Sequence, residues 1–308
     1  MAPLRFLAFV LPALPTRAAL AFGDAFGFVL WALDPRGRRA GMQGLEAVFG
    51  AEMTPRRRRV TLRSAYRNAV RAEVLLFHLR DLTPERYSRH VRISPEDDER
   101  FRTLARENPS FVLASAHFGN WELLLASRSL LEYVPPVTYL AETTGNAAVD
   151  AFFAKLRDRG AGGGALRKGG AMAMRRALES GGCVSLLADR NVPGRYGGVY
   201  VPFLGIPART TPLPAMLAHW YGVPLAVVLL LPEGRARWRL WISGNLMEPR
   251  TGDESIDVPR ALARMNDVIS RAIREHPTAW AWMLKRWKSR PTRDLGAYPA
   301  YSVLDAEE

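Results

Sequence analysis

The 308-residue sequence contains one cysteine, Cys183. A lone thiol excludes a disulfide framework and any zinc site built on cysteines, and it fits a reducing compartment. Several catalytic signatures are also missing. There is no G-x-S-x-G nucleophile elbow, no H-E-x-x-H, no Walker A lysine and no Rossmann glycine fingerprint after a strand-like run. The run Gly162, Gly163, Gly164 reads as a loop. No uninterrupted apolar stretch reaches the roughly 20 residues that a spanning helix needs. The segment from Leu4 to Leu33 is broken by Pro12, Pro15, Arg17 and Asp24. Acidic residues are in deficit, 30 against 43 Lys and Arg, for a formal charge of +13. An excess of that size points to an anionic partner: nucleic acid, an acidic protein or a lipid surface. A hydrophobic content of 48% with 24% charged residues is enough to bury a core and excludes disorder of the whole chain.

Residues 18–33 read as a helix with a wide apolar face and a thin polar strip at Arg17 and Asp24. Such a helix lies in a membrane interface or packs on the protein's own core. No small-residue cleavage site is well placed before Arg36, which argues against a cleaved signal. Residues 36–110 read as helical and basic. Thr54-Pro55, Thr83-Pro84 and Ser94-Pro95 are helix starts, a capping side chain followed by proline at the first helical position. Arg56, Arg57, Arg58 and Arg59 form a solvated face, or an anchor of about 1 kcal/mol per basic residue beside anionic lipid. From residue 111 the texture alternates. Residues 111–116, 136–140, 183–188, 224–231 and 237–243 read as strands; 121–131, 147–159, 169–179, 211–220 and 256–275 read as helices. The fold class is therefore α/β, with a mostly parallel central sheet flanked by helices. The expected organisation is an N-terminal apolar helix over 1–35, a single α/β domain over 36–294 and a mobile tail over 295–308.

Four of the five histidines, His78, His90, His219 and His276, sit in helical registers or near helix ends and read as structural. His117 differs, because it follows directly on the apolar run 111–116. A side chain where a strand ends and a helix begins stands at the carboxyl edge of the sheet, where open α/β sheets bind ligands. Gly119 allows a tight turn, Asn120 can cap the helix starting at Trp121, and Glu122 can fold back toward the imidazole. A carboxylate on one ring nitrogen leaves the other as a base. Such a dyad, with no protein nucleophile, suits deprotonation of a substrate hydroxyl or amine for attack on an acyl carbonyl. On spacing alone, an unrelated turn histidine and helical glutamate explain the pair as well.

The block His117-Phe118-Gly119-Asn120-Trp121-Glu122 resembles the H-x4-[DE] block of the bacterial lipid A biosynthesis acyltransferases, a branch of the lysophospholipid acyltransferase superfamily. Further blocks resemble that family in its order: Leu187-Ala188-Asp189-Arg190-Asn191, then residues 198–208, then Thr210-Thr211-Pro212, then Trp282-Met283-Leu284-Lys285-Arg286-Trp287 before Arg290-Pro291. The resemblance implies a glycerolphosphate-acyltransferase-like fold with an N-terminal helical membrane-docking segment. It implies transfer of a fatty acyl chain from acyl-carrier protein or acyl-CoA to a hydroxyl of a glycolipid, at the cytoplasmic face of the bacterial inner membrane. His117 would be the general base and Glu122 would orient it. Glu142, Arg157 and Asp189, with Arg159 close to Arg157 in sequence, resemble or neighbour substrate-binding and oxyanion positions, and Asn120 belongs with them. Asp189 would orient Arg157 or the acceptor. No metal or prosthetic group is implied. The partners would be an anionic membrane surface, the glycolipid acceptor and the acyl thioester, with no nucleic acid. Arg190 departs from the glutamine or histidine common after the aspartate.

Three tryptophans, Trp280, Trp282 and Trp287, lie among Lys285, Arg286, Lys288 and Arg290 and suit either a membrane interface or the core. Residues 198–207, rich in glycine, proline and aromatics, read as a loop over an acyl groove. Within the acyltransferase reading the acceptor is a lipid A precursor, a phosphatidylinositol mannoside or another lysolipid. The competing readings are an acyl-thioester or lipid hydrolase using the same dyad on water, and a non-enzymatic basic module binding membrane or nucleic acid, for which no nucleic-acid motif is present.

Overall fold

The computed structural model describes residues 10–78, 83–127, 131–141, 146, 147, 150, 151, 154, 164–166, 170–292, 296 and 298–305. The chain begins with three helices: α1 (Thr16–Leu33), α2 (Pro35–Phe49) and α3 (Pro55–His78). Asp34 separates the first two and caps the second, its side chain accepting the Gly37 N–H at 2.8 Å. Thr54 accepts the Arg57 N–H at 3.2 Å at the start of α3, the cap that the Thr-Pro pair predicts. α1 lies against α3 with backbones in near contact, and glycine is required there: a Cβ on Gly27 would sit 2.7 Å from the Arg67 Cα. α1 is the one helix among the described residues that is long and apolar enough to cross a membrane by length and composition.

The α/β part follows in chain order: α4 (Pro84–Ser88), β1 (Val91–Ile93), α5 (Pro95–Glu107), β2 (Phe111–Ser115), α6 (Trp121–Ala126), β3 (Val137–Ala141), β4 (Gly164–Leu166), α7 (Gly170–Glu179), β5 (Cys183–Leu187), β6 (Val199–Phe203), β7 (Ile206–Thr210), α8 (Leu213–Trp220), β8 (Leu225–Gly234), β9 (Arg237–Ile242), α9 (Glu254–Glu275), β10 (Ser289–Arg290) and β11 (Val303–Leu304). Thr83 and Ser94 cap α4 and α5 by accepting main-chain N–H groups three residues on. The central sheet runs β1-β9-β8-β2-β5-β3-β4. Every neighbouring pair in it is parallel except the β8–β9 hairpin. β2 and β5 are side by side, Ser115 opposite Leu187, so both chains leave the sheet at one edge.

Side chains alternate across these strands. Val112, Ala114, Val184 and Leu186 face one core, shared with Leu262, Met265 and Ile269 of α9. Phe111, Leu113 and Cys183 face the other, shared with Phe101 of α5 and Leu123 of α6.

Three features differ from the sequence expectation, and one open alternative is decided. The three-residue strand β1 interrupts the stretch 36–110 that reads as helical, because Val91 is buried beside Trp238 of β9. Residues 198–207 are not a loop over a groove. They fall in the β6–β7 hairpin, closed by Leu204 and Gly205 with φ of 52° and 84°, and Phe203 is buried against Trp280 and Trp287. Of the two settings open to the tryptophans of the 280–287 segment, the core is the one found: all three are only 1% exposed. The tail is not free over 298–305: β11 pairs with β10, and Ser302 Oγ donates to the Trp287 carbonyl at 2.5 Å.

Candidate active site

His117 stands two residues past the end of β2. The turn that carries it depends on Gly119, which has φ of 63° and lies so close to β8 that a Cβ would be 1.9 Å from the Leu230 carbonyl oxygen. The same turn is stitched to the segment after α9. Gly119 N–H donates to the Ala279 carbonyl at 2.9 Å, and Ala281 N–H donates to the His117 carbonyl at 3.1 Å. Asn120 then starts α6, its Oδ1 accepting the Leu123 N–H at 3.1 Å. Its Nδ2 is buried and has no hydrogen-bond partner among the described residues.

The carboxylate on the imidazole is Asp189, two residues past the end of β5. Parallel pairing of β2 with β5 brings the two strand ends together. His117 Nδ1 lies 2.8 Å from Asp189 Oδ1, and the His117 main-chain N–H donates to Oδ2 at 2.9 Å. Trp280 Nε1 donates to the same Oδ2 at 2.8 Å. A carboxylate only accepts, so Nδ1 carries the proton and Nε2 keeps its lone pair. Asp189 is fully buried, whereas the His117 side chain is 19% exposed.

Burial works against the charged form of both groups. For His117 it is outweighed by the charge and hydrogen bond of Asp189, with Arg190 opposing and Glu122 adding to the effect, so the imidazole pKa is raised above its ordinary 6.5. For Asp189 burial is outweighed by the charge and hydrogen bond of His117 and by the Trp280 and main-chain donors, so its pKa lies below 3.8. Glu122 is buried in the first turn of α6 and acts on the imidazole through its charge, the smallest of these contributions. The sequence spacing pointed to Glu122 for the Nδ1 position that Asp189 holds.

Behind Asp189 lies Arg286, fully buried. It donates to the Arg190 carbonyl at 3.3 Å, to the Arg209 carbonyl at 2.5 Å and to Thr210 Oγ1 at 2.5 Å, and it stacks 4.6 Å above the Phe203 ring. Burial pulls its guanidinium down to about 10, and the nearby Asp189 charge opposes this. Arg190 itself is exposed at the strand end. The sequence reading gave neither Trp280 nor Arg286 a role at the site: Trp280 belonged to the tryptophan cluster and Arg286 to the 282–287 block of the family resemblance.

An apolar cavity of about 40 Å³ lies in the second core, on the face of the sheet that carries Phe111 and Leu113. Leu113, Ser185, Val137, Val228 and Leu240 form its floor, and Leu124 of α6 helps to close it. Leu113 and Ser185 are each four residues before His117 and Asp189, so the cavity lies about 13 Å from the pair along the strands. Glu142, Arg157 and Arg159 lie outside the described residues. Among the described residues no cluster of three or more His, Cys, Asp or Glu could hold a metal ion.

Compared with protein families, residues 4–289 match the family described as bacterial lipid A biosynthesis acyltransferase. A comparison with curated proteins found no match.

Proposed function

Since the chain belongs to the bacterial lipid A biosynthesis acyltransferase family, we propose that it moves a fatty acyl chain from a thioester donor, acyl-carrier protein or acyl-CoA, to a hydroxyl of a glycolipid, with His117 as general base. Acyltransferase activity follows from the family; the site roles, donor and acceptor are the proposal. The observation that carries it is the fixed tautomer of His117. With Nδ1–H committed to Asp189, Nε2 is the one ring atom able to take a proton.

In the proposed step Nε2 removes the proton from the acceptor hydroxyl as its oxygen bonds to the thioester carbonyl carbon. The tetrahedral intermediate collapses by breaking the C–S bond, and the leaving thiolate takes the proton back from the imidazolium. Asp189 stays ionised and stabilises the imidazolium, as a buried carboxylate does in hydrolytic triads. Glu122 adds negative charge nearby. Asn120 Nδ2, unpartnered among the described residues and in the same turn, is a donor suited to the substrate's carbonyl oxygen. Arg190, exposed at the strand end, suits an anionic acceptor such as a phosphorylated glycolipid. Glu142, Arg157 and Arg159 remain candidates for the substrate side on resemblance alone. The apolar outer face of α1 and the basic charge suit the cytoplasmic surface of an anionic inner membrane.

The test is acceptor dependence. Labelled acyl thioester is incubated with the protein, with and without a lysolipid or lipid A precursor in vesicles. Acyl-lipid formation with little free acid supports transfer. Release of free acid at the same rate without acceptor makes the protein a thioesterase instead.

A further inference from the structure

Asp24 is the ninth of the 18 residues of α1, and its side chain is 8% exposed. Three arginines from elsewhere in the chain meet it. Arg67 and Arg71 of α3 each place Nε 3.2 Å from Oδ1, and Arg235, in the β8–β9 turn, donates to Oδ2. On the opposite side of the helix Phe22, Phe26, Val29 and Leu30 are 38–43% exposed and Leu33 is 75% exposed. Exposed Arg36 and Arg39 follow at its C-terminal end. An uncovered apolar face edged by cations complements an anionic lipid surface.

The same geometry decides how the helix meets lipid. At about 1.5 Å per residue, 18 residues extend about 27 Å, close to the thickness of a bilayer core. If α1 crossed, Asp24 would lie near the midplane. Its three arginines belong to elements packed in the α/β part, so either that part would enter the hydrocarbon or the ion pairs and the Gly27–Arg67 contact would break. Buried charges of this kind are costly in hydrocarbon. The grip also continues inward. Arg71 donates to Asn68 Oδ1, Asn68 Nδ2 donates to the Thr278 carbonyl at 2.7 Å, and the neighbouring Ala279 carbonyl holds Gly119 in the His117 turn.

We infer that α1 docks in the plane of an anionic bilayer, apolar face inward, and that Asp24 with Arg67, Arg71 and Arg235 pins it there, fixing the height of the His117 turn above the lipid surface. The inference rests on the reading of the protein as a lipid-surface enzyme.

The test uses the full chain with Cys183→Ala, single cysteines at Ala18, Ala25 or Leu33 labelled with a fluorophore, and phosphatidylethanolamine–phosphatidylglycerol vesicles carrying nitroxide lipids at known depths. In-plane docking predicts the same shallow depth for all three labels. A label at Ala25 near the midplane, with shallow labels at 18 and 33, would overturn the orientation while leaving the lipid-surface reading intact. Absence of vesicle binding overturns both. The pin has its own readout in solution: Asp24→Asn should raise amide hydrogen exchange across α1 at least tenfold, and unchanged exchange would overturn it.

Discussion

Asp189 accepts two hydrogen bonds from one residue, the ring Nδ1 of His117 on Oδ1 at 2.8 Å and its main-chain N–H on Oδ2 at 2.9 Å. A carboxylate held this way fixes both where the imidazole backbone stands and how its ring is turned. Replacing Asp189 by Asn keeps the shape and removes the charge. Turnover should fall by about 10⁴, the cost of a wrong tautomer in a comparable triad. Glu122→Gln should cost less than Asp189→Asn, since Glu122 contributes less to the field at the ring. Steady-state kinetics of both variants compares them, and a larger loss in Glu122→Gln would contradict the assignment.

The raised pKa of His117 makes a pH prediction. A general base must be neutral, so kcat/KM should fall as pH drops through a value above 6.5. In Asp189→Asn burial and Arg190 act unopposed by the partner charge, and the inflection should move below 6.5. Stability carries the same linkage. The His117 contribution is complete below pH 6.5 and is lost as pH rises through the raised value; that of Asp189 is complete above 3.8 and is lost as pH falls through the depressed one. Rate–pH profiles of the two proteins check the kinetic part.

Arg286 ties three chain segments together beneath Asp189. Arg286→Met would leave the carbonyls of Arg190 and Arg209 and the Thr210 hydroxyl without this donor. A loss of about 3 kcal/mol in folding stability is expected. Lys keeps the charge but not the planar fork, so Arg286→Lys should fall between. Denaturant midpoints of the three proteins measure this.

Gly119→Ala should disable the turn directly. The added methyl meets the Leu230 carbonyl, and φ of 63° is strained for alanine. The expected penalty is about 1–3 kcal/mol with loss of turnover. A variant with native melting and native rate would show that the turn tolerates the change.

Much of the fold is legible in the residues because it is local. Apolar runs at 111–116 and 183–188 mark strands, and Thr83-Pro84 and Ser94-Pro95 mark helix starts, since caps and periodicity act over a few residues. The position of His117 at a strand end is legible for the same reason. Its partner is not. Asp189 is 72 residues away and reaches Nδ1 only because β5 is the neighbour of β2, an adjacency that the period of either strand does not encode. Trp280 and Arg286 reach the site through the return of the chain after α9, equally non-local. The β6–β7 hairpin did carry a signal: Val199, Val201 and Phe203 alternate with Tyr200 and Pro202 before Leu204-Gly205, a two-residue turn with both φ values positive. The arginine run read as one face is divided by packing. Arg58 is buried, paired with Glu46 and donating to the Gly50 carbonyl, while Arg56, Arg57 and Arg59 are exposed.

The most direct test of the central claim is turnover by His117→Ala. The purified variant and the wild type are given the same labelled acyl thioester and glycolipid acceptor in vesicles, with melting curves to show that both are folded. The account predicts loss of acyl transfer to the level of the uncatalysed control with the fold retained. Transfer at a rate near wild type by the folded variant would contradict it.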